Sequence, residues 1–230
     1  MSDPGNQWLI EQARHKQGKQ LWLADENTLA DLKDIAALKI PCLSNRFDIS
    51  KRLEAMGEQC VFNDFDLSSF ADNSLDQIYY RVSKERPVVY HLINQASRVL
   101  KPGGSLLLAG QKNEGIKTYF SKLKGVFKGV GQLQKSGNFY QGSMTLVKPT
   151  DGKDVDPAED TSIATSSLLD TKNYNALRPI GNYELSTRTL NFVSKPGLFG
   201  WQKIDQGSAF LAEHLDSFVS SLKNAPRSML

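Results

Sequence analysis

The sequence predicts an α/β fold on a mainly parallel, doubly wound sheet. Short apolar runs alternate with stretches whose apolar residues recur at helical spacing. Turn signals such as Asn27-Thr28, Gly57 and Lys101-Pro102-Gly103-Gly104 separate them. The run Ser105–Ala109 is continuously apolar after its serine, as a strand covered on both faces requires. Strands alternating with crossover helices are the pattern of a parallel sheet.

The elements follow in order. Leu21-Trp22-Leu23-Ala24 reads as a buried strand, followed by a helical face of Leu29, Leu32, Ile35 and Ala36, with Thr28 and Asp31 at capping-box spacing. Ile40–Leu43 is a second strand, and Leu53 with Met56 belongs to a short helix that Gly57 ends. Cys60–Phe62 is a third strand and Leu75–Val82 a fourth. The clearest helix comes next: Ser83 as cap, Pro87 in the first turn, and Val89, Leu92, Ile93, Ala96, Val99 and Leu100 on one face. The Lys101–Gly104 turn stops it before the strand Ser105–Ala109. Near the end, Leu190 and Phe192 alternate like a half-buried strand, Pro196-Gly197 marks a turn, and Asp205–Leu215 is an amphipathic helix with Asp205 as cap.

Composition excludes several classes. Of 230 residues, 40% are hydrophobic and 23% charged, which suits a packed domain and not a disordered chain. No apolar run approaches the ~20 residues of a membrane span, so no membrane partner is expected. Cys42 and Cys60 cannot make a disulfide framework or a zinc cluster and read as buried strand residues. His15, His91 and His214 stand apart without metal-ligand spacing, so no metal site is expected. The polar start Met1-Ser-Asp-Pro-Gly carries no secretory signature, and the cytoplasm is the expected compartment.

Charge is unevenly placed. Lys112, Lys117, Lys122, Lys124, Lys128 and Lys135 face one acid, Glu114; from Asp151 to Asp170 six acids face only Lys153. The acidic stretch lacks aromatic residues and periodicity and reads as an exposed insertion. The chain is therefore expected to divide into a body at 1–149, a flexible acidic insertion at 150–173 and a connector at 174–230.

The run SLDQIYYRVSKERPVVYHLINQASRVLKPGGSLLLAGQKNEGIK (Ser74 to Lys117) resembles the fourth-strand, helix, LKPGG-turn and fifth-strand passage of class I (Rossmann-like) AdoMet-dependent methyltransferases. More narrowly, RVSKERP, LKPGG and AGQKNEGIK resemble the N-terminal half of two-domain ribosomal RNA guanine-N2 methyltransferases of the small-subunit methyltransferase C type. The tail SKPGLFGWQKIDQGS (Ser194 to Ser208) with AFLAEHL (Ala209 to Leu215) is similar to the segment that leads into that family's catalytic half. The resemblance implies S-adenosylmethionine as cofactor of a separate catalytic domain, with that domain and ribosomal RNA as partners. It also places Phe199, Lys203 and Asp205 with the catalytic half, either bordering its cofactor or target base or, as the preferred reading, serving as a docking element.

The residues themselves argue against a site in this chain. A nucleotide-type cofactor needs glycines in the turn after the first strand, where backbone N–H groups approach the ligand. Here that turn is Ala24-Asp25-Glu26-Asn27-Thr28. Amino-group methyltransferases carry Asn/Asp-Pro-Pro-aromatic after strand four, and here the sequence reads Tyr80-Arg81-Val82-Ser83-Lys84-Glu85-Arg86-Pro87. The expectation is a cofactor motif that is absent, no catalytic and no cofactor-binding residue, and a chain inactive alone. The ending Asn224-Ala-Pro-Arg-Ser-Met-Leu230 reads as a turn entering an apolar strand, as if a longer protein were cut there.

Two basic groups are candidates for RNA backbone contact. Lys117, Lys124 and Lys128 fall near one helical face, with Lys122 close by and Tyr119, Phe120 and Phe127 interleaved as stacking or packing groups. Arg81, Lys84 and Arg86 lie where strand four ends, the edge at which open α/β sheets bind ligands. The alternative is a pseudo-enzyme scaffold that stabilises the catalytic half without touching RNA.

Overall fold

The computed structural model describes residues 2–147, 168–184, 189–198 and 200–221. The chain forms two compact units, residues 1–171 and 172–230. Most of the acidic stretch and Phe199 lie outside the described residues.

The first unit is built on seven strands: β1 (Gln20–Ala24), β2 (Cys42–Ser44), β3 (Cys60–Phe62), β4 (Leu75–Arg81), β5 (Leu100–Gln111), β6 (Val130–Ser136) and β7 (Phe139–Thr145). Their order is β3-β2-β1-β4-β5-β7-β6. The first five run parallel, and β7 and β6 close that edge antiparallel. The doubly wound α/β sheet expected from the sequence is the sheet observed. Its helices are α1 (Pro4–His15), α2 (Leu32–Ala36), α3 (Phe47–Ala55), α4 (Arg86–Val99) and α5 (Ile116–Phe127).

The central strands are buried because both faces are covered: Leu21, Trp22, Ile78, Tyr79, Leu107 and Ala109 have essentially no exposed surface. Trp22 stacks on Tyr79 with ring centroids 5.5 Å apart. In α4, Pro87 occupies the first turn, and the face of Val89, Leu92, Ile93, Ala96 and Val99 is buried as its spacing predicts. Gly57 ends α3 in the left-handed region, its N–H donating to the Glu54 carbonyl. Gly142 on β7 has no room for a side chain, since a Cβ there would lie 2.4 Å from the Gln132 carbonyl and 3.0 Å from the Phe120 ring.

Several local details differ from expectation. Asp25, in extended backbone at the end of β1, accepts the Asn27 N–H at 2.9 Å and caps a 3₁₀ turn, Glu26–Asp31, that precedes α2. Thr28 instead donates its hydroxyl to the Asp25 carbonyl. Ser83 accepts the Glu85 N–H at 3.1 Å, forming a turn ahead of α4. The second strand starts at Cys42 and not at Ile40. Helix α1 and the β6–β7 hairpin were not signalled. Helix α1 buries only a narrow stripe, Leu9, Ile10 and Ala13 among its apolar residues. The outermost strand, β6, is exposed along nearly all its length and so carries no apolar alternation.

In the second unit, β8 (Arg178–Glu184) pairs antiparallel with β9 (Thr189–Ser194). Helix α6 (Gln206–Ser221) starts as expected, with the Asp205 carboxylate accepting the Ser208 N–H at 3.1 Å. Arg178 lies over the Trp201 ring at 4.8 Å.

Candidate functional site

Ligands of open α/β sheets bind outside the carboxyl ends of the strands. In the first unit the ends of β1, β4 and β5 meet around Arg81, the last residue of β4, which is only 2% exposed. Its Nε and Nη2 donate to the two oxygens of Asp3 at 3.0 and 3.2 Å. Its Nη1 and Nη2 donate to Glu114 at 2.7 and 3.1 Å, and Nη1 also reaches the Val82 carbonyl at 2.9 Å. The Phe139 ring lies 5.1 Å from the guanidinium carbon. Burial works against the guanidinium's charge, but the Glu114 and Asp3 carboxylates outweigh it and hold its pKa above the ordinary arginine value.

Local structure delivers both carboxylates. Asp3 is the cap of α1 and accepts the Asn6 N–H at 2.9 Å. Glu114 closes the short 3₁₀ turn Lys112–Glu114 after β5, taking the Gln111 N–H at 2.6 Å. Gly5 permits the approach, since a Cβ there would meet the Arg81 side chain at 2.9 Å. The start of α1 also grips the segment after β1. Asn6 donates to the Asn27 carbonyl at 2.8 Å and to Asp31 at 3.0 Å, and Gln7 donates to Asp31 at 2.8 Å. Beside this lattice Asp25 is buried. Loss of hydration and the neighbouring Glu26 push its pKa up to about 7, against the Asn27 amide, the Tyr80 hydroxyl and the Arg81 charge.

Arg81 therefore does not join Lys84 and Arg86 in a surface cluster, and this corrects the sequence reading. A side chain clamped by two carboxylates inside the fold cannot meet a phosphate. Lys84 and Arg86 are exposed. The arrangement was missed because Asp3 and Glu114 lie 78 and 33 positions from Arg81, beyond any local pattern.

Lys117, Lys122, Lys124 and Lys128 are all exposed on or at the end of α5. The interleaved Tyr119, Phe120 and Phe127 are buried, so they pack and do not stack on a ligand. Lys122 lies on the flank of Tyr119, whose ring meets Tyr90 of α4 edge-on. Lys117 points the other way, its Nζ 4.6 Å above the ring of Tyr140 on β7. Tyr140 is paired in register with Lys135 of β6. Among the described residues, no group of three or more His, Cys, Asp or Glu is placed to hold a metal, and no helix is long and apolar enough to cross a membrane.

Ribosomal RNA small subunit methyltransferase C of Shewanella loihica is 28% identical over 188 residues, covering 80% of this chain and 48% of that protein. The same enzyme of Shewanella oneidensis is 27% identical over 146 residues, covering 62% of this chain and 36% of that protein. The chain is similar, over most of its own length, to small-subunit methyltransferase C proteins. It spans about half or less of the length of these relatives. No protein-family model matches it. Among solved structures, the T. thermophilus 16S rRNA N2 G1207 methyltransferase, in complex with AdoMet and guanosine, superposes with a TM-score of 0.66 at 19% identity. The match covers 94% of this chain and 53% of that one. The class I methyltransferase-like fold expected from the sequence is thus the fold observed.

Proposed function

We propose that this chain is the non-catalytic N-terminal half of an AdoMet-dependent rRNA guanine-N2 methyltransferase of the cytoplasm, supporting a separate catalytic half and contacting rRNA. One observation carries the reading: the sheet edge at which this fold binds ligands is filled by the protein's own side chains. Arg81 with its two carboxylates occupies the end of β4, and Asp3, Asn6 and Gln7 latch α1 over the segment after β1. The residues present do not fit AdoMet. The turn after β1 has no glycine to bring backbone N–H groups to the ligand and instead carries Asp25 and Glu26. Methyl transfer to guanine N2 accordingly belongs to the other half, with no catalytic residue in this one.

The relatives' names support rRNA as the partner, and the exposed cations at Lys84, Arg86, Lys117, Lys122, Lys124 and Lys128 suit a phosphate backbone. A second reading, a protein scaffold without RNA contact, is favoured by the exposed Phe210, Leu211 and Phe218 on α6. Two titrations of the intact chain test the proposal. Calorimetry with AdoMet should give no saturable binding, and micromolar affinity would overturn the non-catalytic assignment. An rRNA hairpin should bind, weakening steeply with salt. Absence of binding at low salt would leave the scaffold reading.

A further inference from the structure

We infer that Tyr140 is a stacking platform for an unpaired RNA base, with Lys117, Lys124, Lys128 and Lys135 holding the flanking phosphates. The inference rests on the proposed RNA role and deepens it by fixing the surface and the kind of RNA.

From Gly115 to Val147 the sequence holds five lysines, Lys117, Lys122, Lys124, Lys128 and Lys135, and no aspartate or glutamate. The fold sorts them. Residues two apart on a strand share a face. Gly142 abuts Phe120 of α5, so Tyr140, two positions earlier, stands on the α5 face, and its register partner Lys135 shares that face. Lys117 and Lys124, seven positions apart, lie along one side of α5, Lys128 follows at the helix end in the left-handed region, and Lys117 lies over the Tyr140 ring. The result is one half-buried aromatic ring framed by cations beside an exposed edge strand. Lys122 is excluded, lying on the Tyr119 flank.

The chemistry follows from competing contacts. An exposed cation–π pair is weak, whereas stacking of an unpaired base on an aromatic ring is stronger and tolerant of sequence. A base can therefore displace the Lys117 ammonium from the ring, and the freed ammonium moves to the adjoining phosphate. Duplex RNA offers phosphates but no base face, because its bases are stacked on one another.

The test is fluorescence anisotropy of the intact chain with a labelled unpaired oligoribonucleotide of about 12 nucleotides, and with a duplex of the same sequence, over a salt series. The unpaired strand should bind more tightly than the duplex. Tyr140→Leu should weaken it by roughly tenfold, and Tyr140→Phe should bind like wild type. Replacing Lys117, Lys124 and Lys128 together by glutamine should flatten the salt dependence by about two in log–log slope. These lysines are exposed, so that arm stands even if Tyr140→Leu loses its fold, which circular dichroism checks. Equal binding of duplex and single strand, unchanged binding by Tyr140→Leu, or a salt slope that falls only with Lys84, Arg86 or Lys122 would overturn the inference while leaving the RNA role intact. No binding of any RNA by the wild type would overturn both.

Discussion

Arg81 offers the sharpest test of the filled edge. Replacing it with methionine keeps much of its length but removes five hydrogen bonds, four of them to the carboxylates of Asp3 and Glu114. Those side chains are 19% and 10% exposed, so two poorly hydrated negative charges would be left facing each other. Breaking a buried ion pair from one side costs about 3–5 kcal/mol. Asp3 retains the Asn6 N–H and Glu114 the Gln111 N–H, which places the expected loss near the lower end, about 3 kcal/mol. Adding Asp3→Asn and Glu114→Gln to Arg81→Met removes the stranded charges and should recover all but about 1 kcal/mol. The assay is urea unfolding followed by Trp8 and Trp22 in a Trp201→Phe background, so that only the first unit reports. A loss below about 1 kcal/mol for Arg81→Met, or a triple variant no better than the single one, would refute the clamp as described.

Other predictions concern neighbouring features. The Asp25 carboxyl titrates at about 7 when folded and near 3.8 otherwise, so the folded state retains a proton that the unfolded chain releases. This contribution to stability is fully present below about pH 4 and is lost as pH rises through 7, an effect on the order of a few kcal/mol. Asp25→Asn should remove that slope, as read from urea midpoints at pH 5 and pH 8. Gly142→Ala forces a methyl against the Gln132 carbonyl and should cost about 1–3 kcal/mol, with faster amide exchange in β6. Leu92→Ala, at a position 1% exposed, should cost about 2–5 kcal/mol by leaving a cavity under α4.

Much of the fold was legible because burial in a parallel sheet writes itself into local pattern. Leu21–Ala24, Cys60–Phe62 and Ser105–Ala109 could be placed from apolar runs alone, and α4 from a stripe of aliphatic residues, whereas the expected LKPGG turn is instead the first part of β5, which runs from Leu100. The segments that escaped notice are those whose contacts leave no periodic trace. The α1 helix packs only the short stripe Leu9, Ile10 and Ala13 into the core and adds polar contacts from Asn6 and Gln7 to Asn27 and Asp31, and β6 has an open edge.

The site divides along the same line. The missing glycines after β1 and the missing amide-proline motif after β4 were visible in the sequence, because a backbone that must approach a ligand restricts residue type locally. What fills the edge was decided only by tertiary structure. Arg81 stands beside Lys84 and Arg86 in the chain, yet its charge is spent on Asp3 and Glu114, which no sequence spacing links to it. Tyr140 likewise gained its lysine neighbours from strand register and helix packing. Sequence sets which groups a segment carries, but long-range pairing of charges depends on which segments the fold brings within a few ångströms, where desolvation makes the choice of partner decisive.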